Sequence, residues 1–274
     1  MSSQTVALND SDDFNVSIEG PEGAPWIVLS NSLATNLSLW NELVEAMRGR
    51  YRIFRYDQRG HGGSVVTAPP YSLPGLIDDV IGLMDSVGIS RAHFVGISMG
   101  AATGWGLALH HSDRLASLTI CDGATAASTT PEWEERLKIV RAGGLAPLVE
   151  PTLERWFTKR SMAQETDAVK RVRAMIGATS AAGFTGCVNA LQSYNYSEGL
   201  ESIRVPTLLV AGAEDGTRPA AMAADAARVP GAQFAIIPDA GHLSNIENPT
   251  EFNRIIQSFV DDVSMLSSSP GKAA

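Results

Sequence analysis

Apolar and polar positions follow two different periods along this chain, and the switches between them mark out its elements. Phe14-Asn15-Val16-Ser17-Ile18-Glu19 alternates with period two, the pattern of a strand with one buried face, and predicts part of an edge hairpin. Apolar runs bounded by turn residues cover residues 26–30, 51–55, 92–95, 115–121, 206–211 and 234–237, as expected for core strands buried on both faces. Between them residues 39–47, 73–87, 101–110, 220–229 and 249–263 carry helical spacing. Strands alternating with helices predict an α/β fold, a mainly parallel sheet flanked by helices.

Residues 123–203 interrupt this alternation. They hold no convincing strand but several amphipathic helical stretches, at 132–142, 148–157 and 167–176. The expected organisation is a core built from residues 1–122 and 204–263, a helical cap inserted at 123–203, and a polar, mobile tail at 264–274. No internal repeat is visible.

Candidate chemistry lies where strand patterns end. Gly96-Ile97-Ser98-Met99-Gly100 sits between an apolar strand run and an Ala/Leu-rich helical run, so a sharp strand-to-helix turn must carry Ser98 at its tip. Glycines at 96 and 100 tolerate the close backbone approach that such a turn forces. A flexible turn with a capping serine is the rival reading of so short a motif.

A hydroxyl needs a base, and the base needs an orienting group. His61, His93, His110 and His111 fall in a glycine-rich turn, a strand and a helix end, whereas His242 follows the apolar run 234–237 in the loop Asp239-Ala240-Gly241-His242-Leu243-Ser244. Asp215 likewise follows the run Thr207-Leu208-Leu209-Val210-Ala211, with Glu214 beside it as the rival acid. The chain order Ser98, Asp215, His242 is that of α/β-hydrolases and differs from the chymotrypsin and subtilisin orders.

On these motifs the chain resembles an α/β-hydrolase from about residue 14 to residue 263. Tyr56-Asp57-Gln58-Arg59-Gly60-His61-Gly62-Gly63-Ser64 is similar to that family's Asp-x-Arg-Gly-x-Gly-x-Ser turn, whose role is structural; Asp57 and His61 are then not a catalytic pair. The resemblance implies an oxyanion hole from the Met99 N–H and from the Leu33 N–H, where Asn31-Ser32-Leu33 replaces the family's frequent His-Gly-x.

Within the family the chain looks most like the 3-oxoadipate enol-lactonases of aromatic catabolism. Leu29-Ser30-Asn31-Ser32-Leu33, Leu39-Trp40, Trp133-Glu134-Glu135-Arg136, Leu153-Glu154-Arg155-Trp156-Phe157, Cys187-Val188-Asn189-Ala190 and Gly241-His242-Leu243-Ser244-Asn245-Ile246-Glu247 carry that likeness through the cap. Ala101, Trp105 and Gly216-Thr217-Arg218 depart from it. The implied activity is hydrolysis of a small carboxylate-bearing lactone or ester through an acyl-enzyme, without cofactor or metal. Arg136, Lys159 and Arg160 are candidate partners for the carboxylate, or simply solvated helix faces; Arg136 leads because it shares a helix face with Trp133. Trp133 and Trp156 line a pocket or form the core of the cap. A carboxylesterase, a carbon–carbon bond hydrolase of ring-cleavage products, and a non-catalytic ligand receptor on the same fold remain open alternatives.

Composition narrows the class further. The 274 residues are 44% hydrophobic, enough for one α/β core with an insertion. A net charge of −9 argues against nucleic acid as a partner, although residues 131–173 carry nine Lys or Arg against seven Asp or Glu. Met1-Ser2-Ser3-Gln4 lacks the basic and apolar segments of a signal peptide, and the uncharged stretches 92–112 and 174–197 are studded with Gly, Ser, His or Asn, so a cytoplasmic protein without membrane contact is expected. Cys121 and Cys187 are expected as buried free thiols, and two cysteines make no metal site. Oligomeric state is not readable.

Overall fold

The computed structural model describes residues 4–8, 12–127 and 130–268. Eight strands form one sheet: β1 (Gln4–Ala7), β2 (Asp13–Glu19), β3 (Trp26–Ser30), β4 (Arg52–Tyr56), β5 (Ala92–Ile97), β6 (Leu115–Cys121), β7 (Thr207–Gly212) and β8 (Gln233–Ile237). Their spatial order is β1-β2-β4-β3-β5-β6-β7-β8, antiparallel at the β1–β2 and β2–β4 pairs and parallel throughout the rest. Eleven α-helices accompany them among the described residues: α1 (Asn41–Met47), α2 (Leu73–Ser86), α3 (Met99–His110), α4 (Thr130–Gly143), α5 (Val149–Trp156), α6 (Lys159–Gln164), α7 (Asp167–Ala178), α8 (Ala181–Leu191), α9 (Arg218–Arg228), α10 (Ser244–Glu247) and α11 (Pro249–Ser268).

Strand period two feeds two cores, one on each face of the sheet. Ile27, Leu29, Ile53, Val95 and Ile97 point to the face covered by α1 and α11, with Trp40, Val44, Phe252, Ile256 and Val260. Val28, Phe54, Phe94, Leu118 and Ile120 point to the face covered by α2, α3 and α9, with Val80, Leu83, Trp105 and Met222. β5 lies mid-sheet and is buried along its whole length, whereas β8 is an edge and leaves Ile236 48% exposed.

Three boundaries differ from the sequence reading. The helix expected over 39–47 is a 3-10 turn, Leu37–Trp40, running into α1, because the Asn36 side chain caps the turn by accepting from the Ser38 N–H. β1 is an additional strand that completes the hairpin with β2 in the register Gln4↔Val16. The first residues of the expected tail are helical instead: α11 continues to Ser268, since Ser264 Oγ hydrogen-bonds the Val260 carbonyl (2.8 Å) and His93 Nε2 (3.1 Å) and is thereby held against the sheet. Residues 269–274 lie outside the described residues.

The segment between β6 and β7 is helical, as α4 to α8, and includes α6, which periodicity did not separate. Its entry and exit legs pair at Ala126 and Asn195. It is fastened to the core near the carboxyl ends of the strands. Thr158 N–H and Oγ1 both donate to Glu247 Oε1 (2.9 and 2.6 Å), Gly241 N–H donates to Glu247 Oε2 (2.8 Å), and Arg171 grips Glu42 with two bonds (2.8 and 3.0 Å). No single helix among the described residues is long and apolar enough to cross a membrane.

Candidate active site

Ser98 joins β5 directly to α3 with φ +56°, a left-handed conformation uncommon for a residue with a side chain. Two glycines make the turn possible. A Cβ at position 96 would strike the Gly100 carbonyl, and one at position 100 would strike the Ser30 carbonyl. The Met99 N–H is the first of α3 and therefore has no partner within its helix, while the next donor, Gly100 N–H, reaches the Asn31 carbonyl at 3.0 Å.

The three residues expected to act together do meet. Ser98 Oγ lies 2.9 Å from His242 Nε2, and His242 Nδ1 lies 2.8 Å from Asp215 Oδ2. Glu214, the rival acid, is exposed and does not line the cavity that holds these side chains. His242 is 8% exposed and its backbone N–H donates to the Trp156 carbonyl at 2.8 Å, while the Trp156 ring stacks on the imidazole with centroids 5.7 Å apart. Burial pushes the Asp215 carboxyl up, but the charge and hydrogen bond of His242, assisted by Arg218, outweigh it and hold the group below the usual carboxylate range.

These side chains open on a cavity of about 370 Å³ that Leu33, Met99, Trp133, Arg136 and Trp156 also line. Arg136 stacks over the Trp133 ring at 4.7 Å and is half-buried; desolvation lowers its pKa, with the Glu132 charge working the other way. Lys159 does not line this cavity, and Arg160 instead pairs at the surface with Asp239 at 3.7 Å, so of the three cap cations considered only Arg136 faces the site. Helix position alone did not reveal which way α6 turns its cations.

The lining residues that sequence reasoning missed include Asp122, Arg155, Tyr194 and Arg218. Asp122 had a readable signal, a charged residue at the carboxyl end of a core strand, where open α/β sheets bind their ligands. Its carboxylate accepts from Gly212 N–H (2.7 Å) and Ser244 Oγ (2.5 Å), and burial together with the Asp215 charge drives its pKa well up. Arg155 and Tyr194 offered no such signal.

The turn at 57–64 behaves as a structural element. Asp57 accepts from Asn15 Nδ2 (2.6 Å), Leu37 N–H (2.7 Å) and Gly63 N–H (2.9 Å), and His61 is buried away from Ser98 and does not line the cavity. Cys121 and Cys187 are buried and free, and no cluster of three or more potential metal ligands occurs among the described residues.

A serine on a strand-to-helix turn, linked through histidine to an acid at the carboxyl edge of a parallel sheet, defines a hydrolase of the α/β class. The profile of the alpha/beta hydrolase fold matches residues 25–249, and the chain belongs to that family. It is 37% identical over 254 residues to 3-oxoadipate enol-lactonase 1 of Acinetobacter baylyi, covering 91% of this chain and 94% of that one. The crystal structure of the enol-lactonase from Burkholderia xenovorans LB400 superposes with a TM-score of 0.90 at 35% identity, over 93% of this chain and 99% of that one. A hydrolase from Pseudomonas aeruginosa PA01 also superposes with a TM-score of 0.90, at 33% identity over 94% and 98% of the two chains. The chain is a hydrolase of the enol-lactonase type in sequence and fold.

Proposed function

We propose that the protein hydrolyses a small enol lactone bearing a carboxylate, with Ser98 as the nucleophile of an acyl-enzyme route. The observation that carries this reading is the continuous contact Ser98–His242–Asp215 on the wall of a cavity that also holds a half-buried arginine. The relatives named 3-oxoadipate enol-lactonase support the substrate class, and a setting in the breakdown of aromatic compounds follows from the resemblance alone.

His242 Nε2 takes the Ser98 proton as Oγ attacks the lactone carbonyl. Charge moves onto the carbonyl oxygen, where the Leu33 and Met99 N–H groups stabilise it by about 3 kcal/mol each. Asp215, held ionised, steadies the imidazolium and fixes its tautomer. As the ring C–O bond breaks, the departing enol oxygen takes the proton from His242. An enol leaves more readily than an alkoxide, and its tautomerisation to the ketone removes it from the reverse reaction. Water, deprotonated by the same His242, then releases the acid and restores Ser98. The helices α4 to α8 act as a cap over this chemistry, and Arg136 pairs with the substrate carboxylate while Trp133 and Trp156 wall the ring.

Steady-state turnover of an anionic enol lactone, followed by loss of the enol-lactone absorbance, tests the proposal. Wild type is expected to hydrolyse it with a higher kcat/KM than a neutral ester of the same size, and Ser98→Ala to lose nearly all turnover while unfolding at a similar temperature. A folded, active Ser98→Ala protein refutes the nucleophile, and preference for the neutral ester refutes the substrate class.

A further inference from the structure

The turn at 57–64 takes no part in the chemistry above, yet its contacts converge on the loop that carries Leu33. Gln58 Nε2 donates to the Asn31 carbonyl (3.0 Å), Asp57 Oδ1 accepts from Leu37 N–H (2.7 Å), and His61 Nε2 lies 2.8 Å from Ala34 N. Ala34 immediately follows the proposed oxyanion donor and has φ +58°, a conformation that costs a residue with a Cβ on the order of 1 kcal/mol or more. Something must hold it there.

A backbone N–H can only donate, so His61 Nε2 must present its lone pair to Ala34 and the ring proton must reside on Nδ1. Nδ1 in turn faces the Arg59 carbonyl at 3.2 Å, the acceptor that this tautomer requires. Both ring nitrogens are thereby engaged with backbone, which leaves His61 no proton-transfer role. Burial lowers its pKa to about 4 against the partial opposition of the Arg59 carbonyl, and the lone pair is therefore free at neutral pH. The ring is boxed in from behind, with Cys187 Sγ of α8 3.9 Å from Nδ1. Gly60 packs on Gly183 of the same helix so closely that neither position has room for a Cβ.

We propose that His61 is a positioning residue for the oxyanion hole: its Nε2 lone pair fixes Ala34 in the left-handed bend and so aims the neighbouring Leu33 N–H at the cavity beside Ser98. The inference rests on the acyl-transfer reading above. It gives the glycine-rich turn a place in catalysis without any contact to substrate, and it ties the cap helix α8 to the oxyanion loop through one imidazole.

His61→Met and His61→Gln separate this role from simple packing. Both side chains are close to histidine in length, but only glutamine places an amide oxygen near the position of Nε2. His61→Met is expected to lower kcat by about 10- to 100-fold with KM changed less than about threefold, below the full loss of an oxyanion donor. Its affinity for a boronic acid that forms a tetrahedral adduct with Ser98 should fall in parallel with kcat, because that adduct uses the hole and the ground state does not. His61→Gln should recover most of both. If His61→Met does not fold, His61→Asn replaces it, since its shorter amide reaches only the Nδ1 position and should show the same paired losses. Wild-type kcat and boronate affinity in folded His61→Met or His61→Asn overturn the inference. Equal deficits in the glutamine and methionine variants overturn it too. Ser98→Ala is measured alongside: turnover surviving there overturns the acyl-transfer reading and this inference with it, whereas an inert Ser98→Ala beside a fully active His61→Met overturns this inference alone.

Discussion

Arg136 tests the substrate class more sharply than the triad does, because any serine hydrolase needs the triad. Replacing it by glutamine keeps most of the stem and removes the charge. Its guanidinium sits at 4.7 Å over Trp133, is half-buried and has a lowered pKa caused first by desolvation. That environment raises the value of an incoming carboxylate, since a hydrogen bond between charged partners contributes about 1.5–3 kcal/mol even before desolvation sharpens it. At about 1.4 kcal/mol per decade, Arg136→Gln is expected to reduce kcat/KM for the anionic lactone by about 10- to 150-fold. The methyl ester of the same lactone presents the same ring and carbonyl without the charge. Its kcat/KM should fall only by the lost ring contact, on the order of 0.5–1 kcal/mol or less than about sixfold. The ratio of the two losses cancels general damage to α4. Equal losses on both substrates would mean that Arg136 merely supports the cap and would refute the assignment of a carboxylate subsite.

Further expectations concern the machinery and its scaffold. Ser98→Ala, His242→Ala and the double variant should show similar residual rates, since the two groups act as one unit; additive losses would contradict a shared proton transfer. Glu247→Gln sets an amide N–H against the donors of Gly241 or Thr158, and should cost about 1–3 kcal/mol in denaturant unfolding together with a lower kcat, because Gly241 precedes His242. Unchanged kcat would show that this anchor does not reach the triad. His93 is buried with its pKa lowered to about 4 from 6.5, so the folded state prefers it neutral. The unfolded chain then binds more protons between those values, and the histidine's contribution of about 3 kcal/mol is present above pH 6.5 and is lost as pH falls through about 4. Subtracting the unfolding curve of His93→Gln isolates this slope from Asp57 and Asp79, whose burial-raised pKa values act in the opposite sense; no difference in slope between pH 4 and 6.5 would refute it. Treatment with a chelator should leave turnover unchanged, and loss of activity restored by a divalent ion would refute the metal-free scheme.

The proposed catalytic residues were legible because each follows the carboxyl end of a strand and is announced by local constraints that do not depend on distant packing. Gly96 and Gly100 are dictated by carbonyls that leave no room for a Cβ, and Gly212, which opens the Asp215 turn, is pressed against the Gly241 carbonyl of the His242 loop in the same way. Short-range chemistry of that kind survives in the sequence as spacing. The direction of the cap cations does not. Lys159 and Arg160 stand one and two residues after Thr158, which Glu247 holds from the core, and that single anchor turns them away while Arg155 and Trp156 face the cavity. The end of α11 was hidden for the same reason, since Ser264 looks like a tail residue until its hydroxyl is seen to lie within hydrogen-bond distance of His93 and Tyr51.

One backbone contact links these two levels. The Trp156 carbonyl of α5 receives the His242 N–H, and the Trp156 ring covers the imidazole, so the segment proposed to select the substrate also supports the proposed base. Elsewhere α8 abuts the turn whose His61 hydrogen-bonds Ala34, next to the proposed oxyanion donor. A change in cap packing therefore reaches both the proton-transfer and the charge-stabilising parts of the site through hydrogen bonds shorter than 3 Å. On that reasoning cap substitutions that alter substrate choice should alter kcat as well as KM, even where they never touch the reacting atoms.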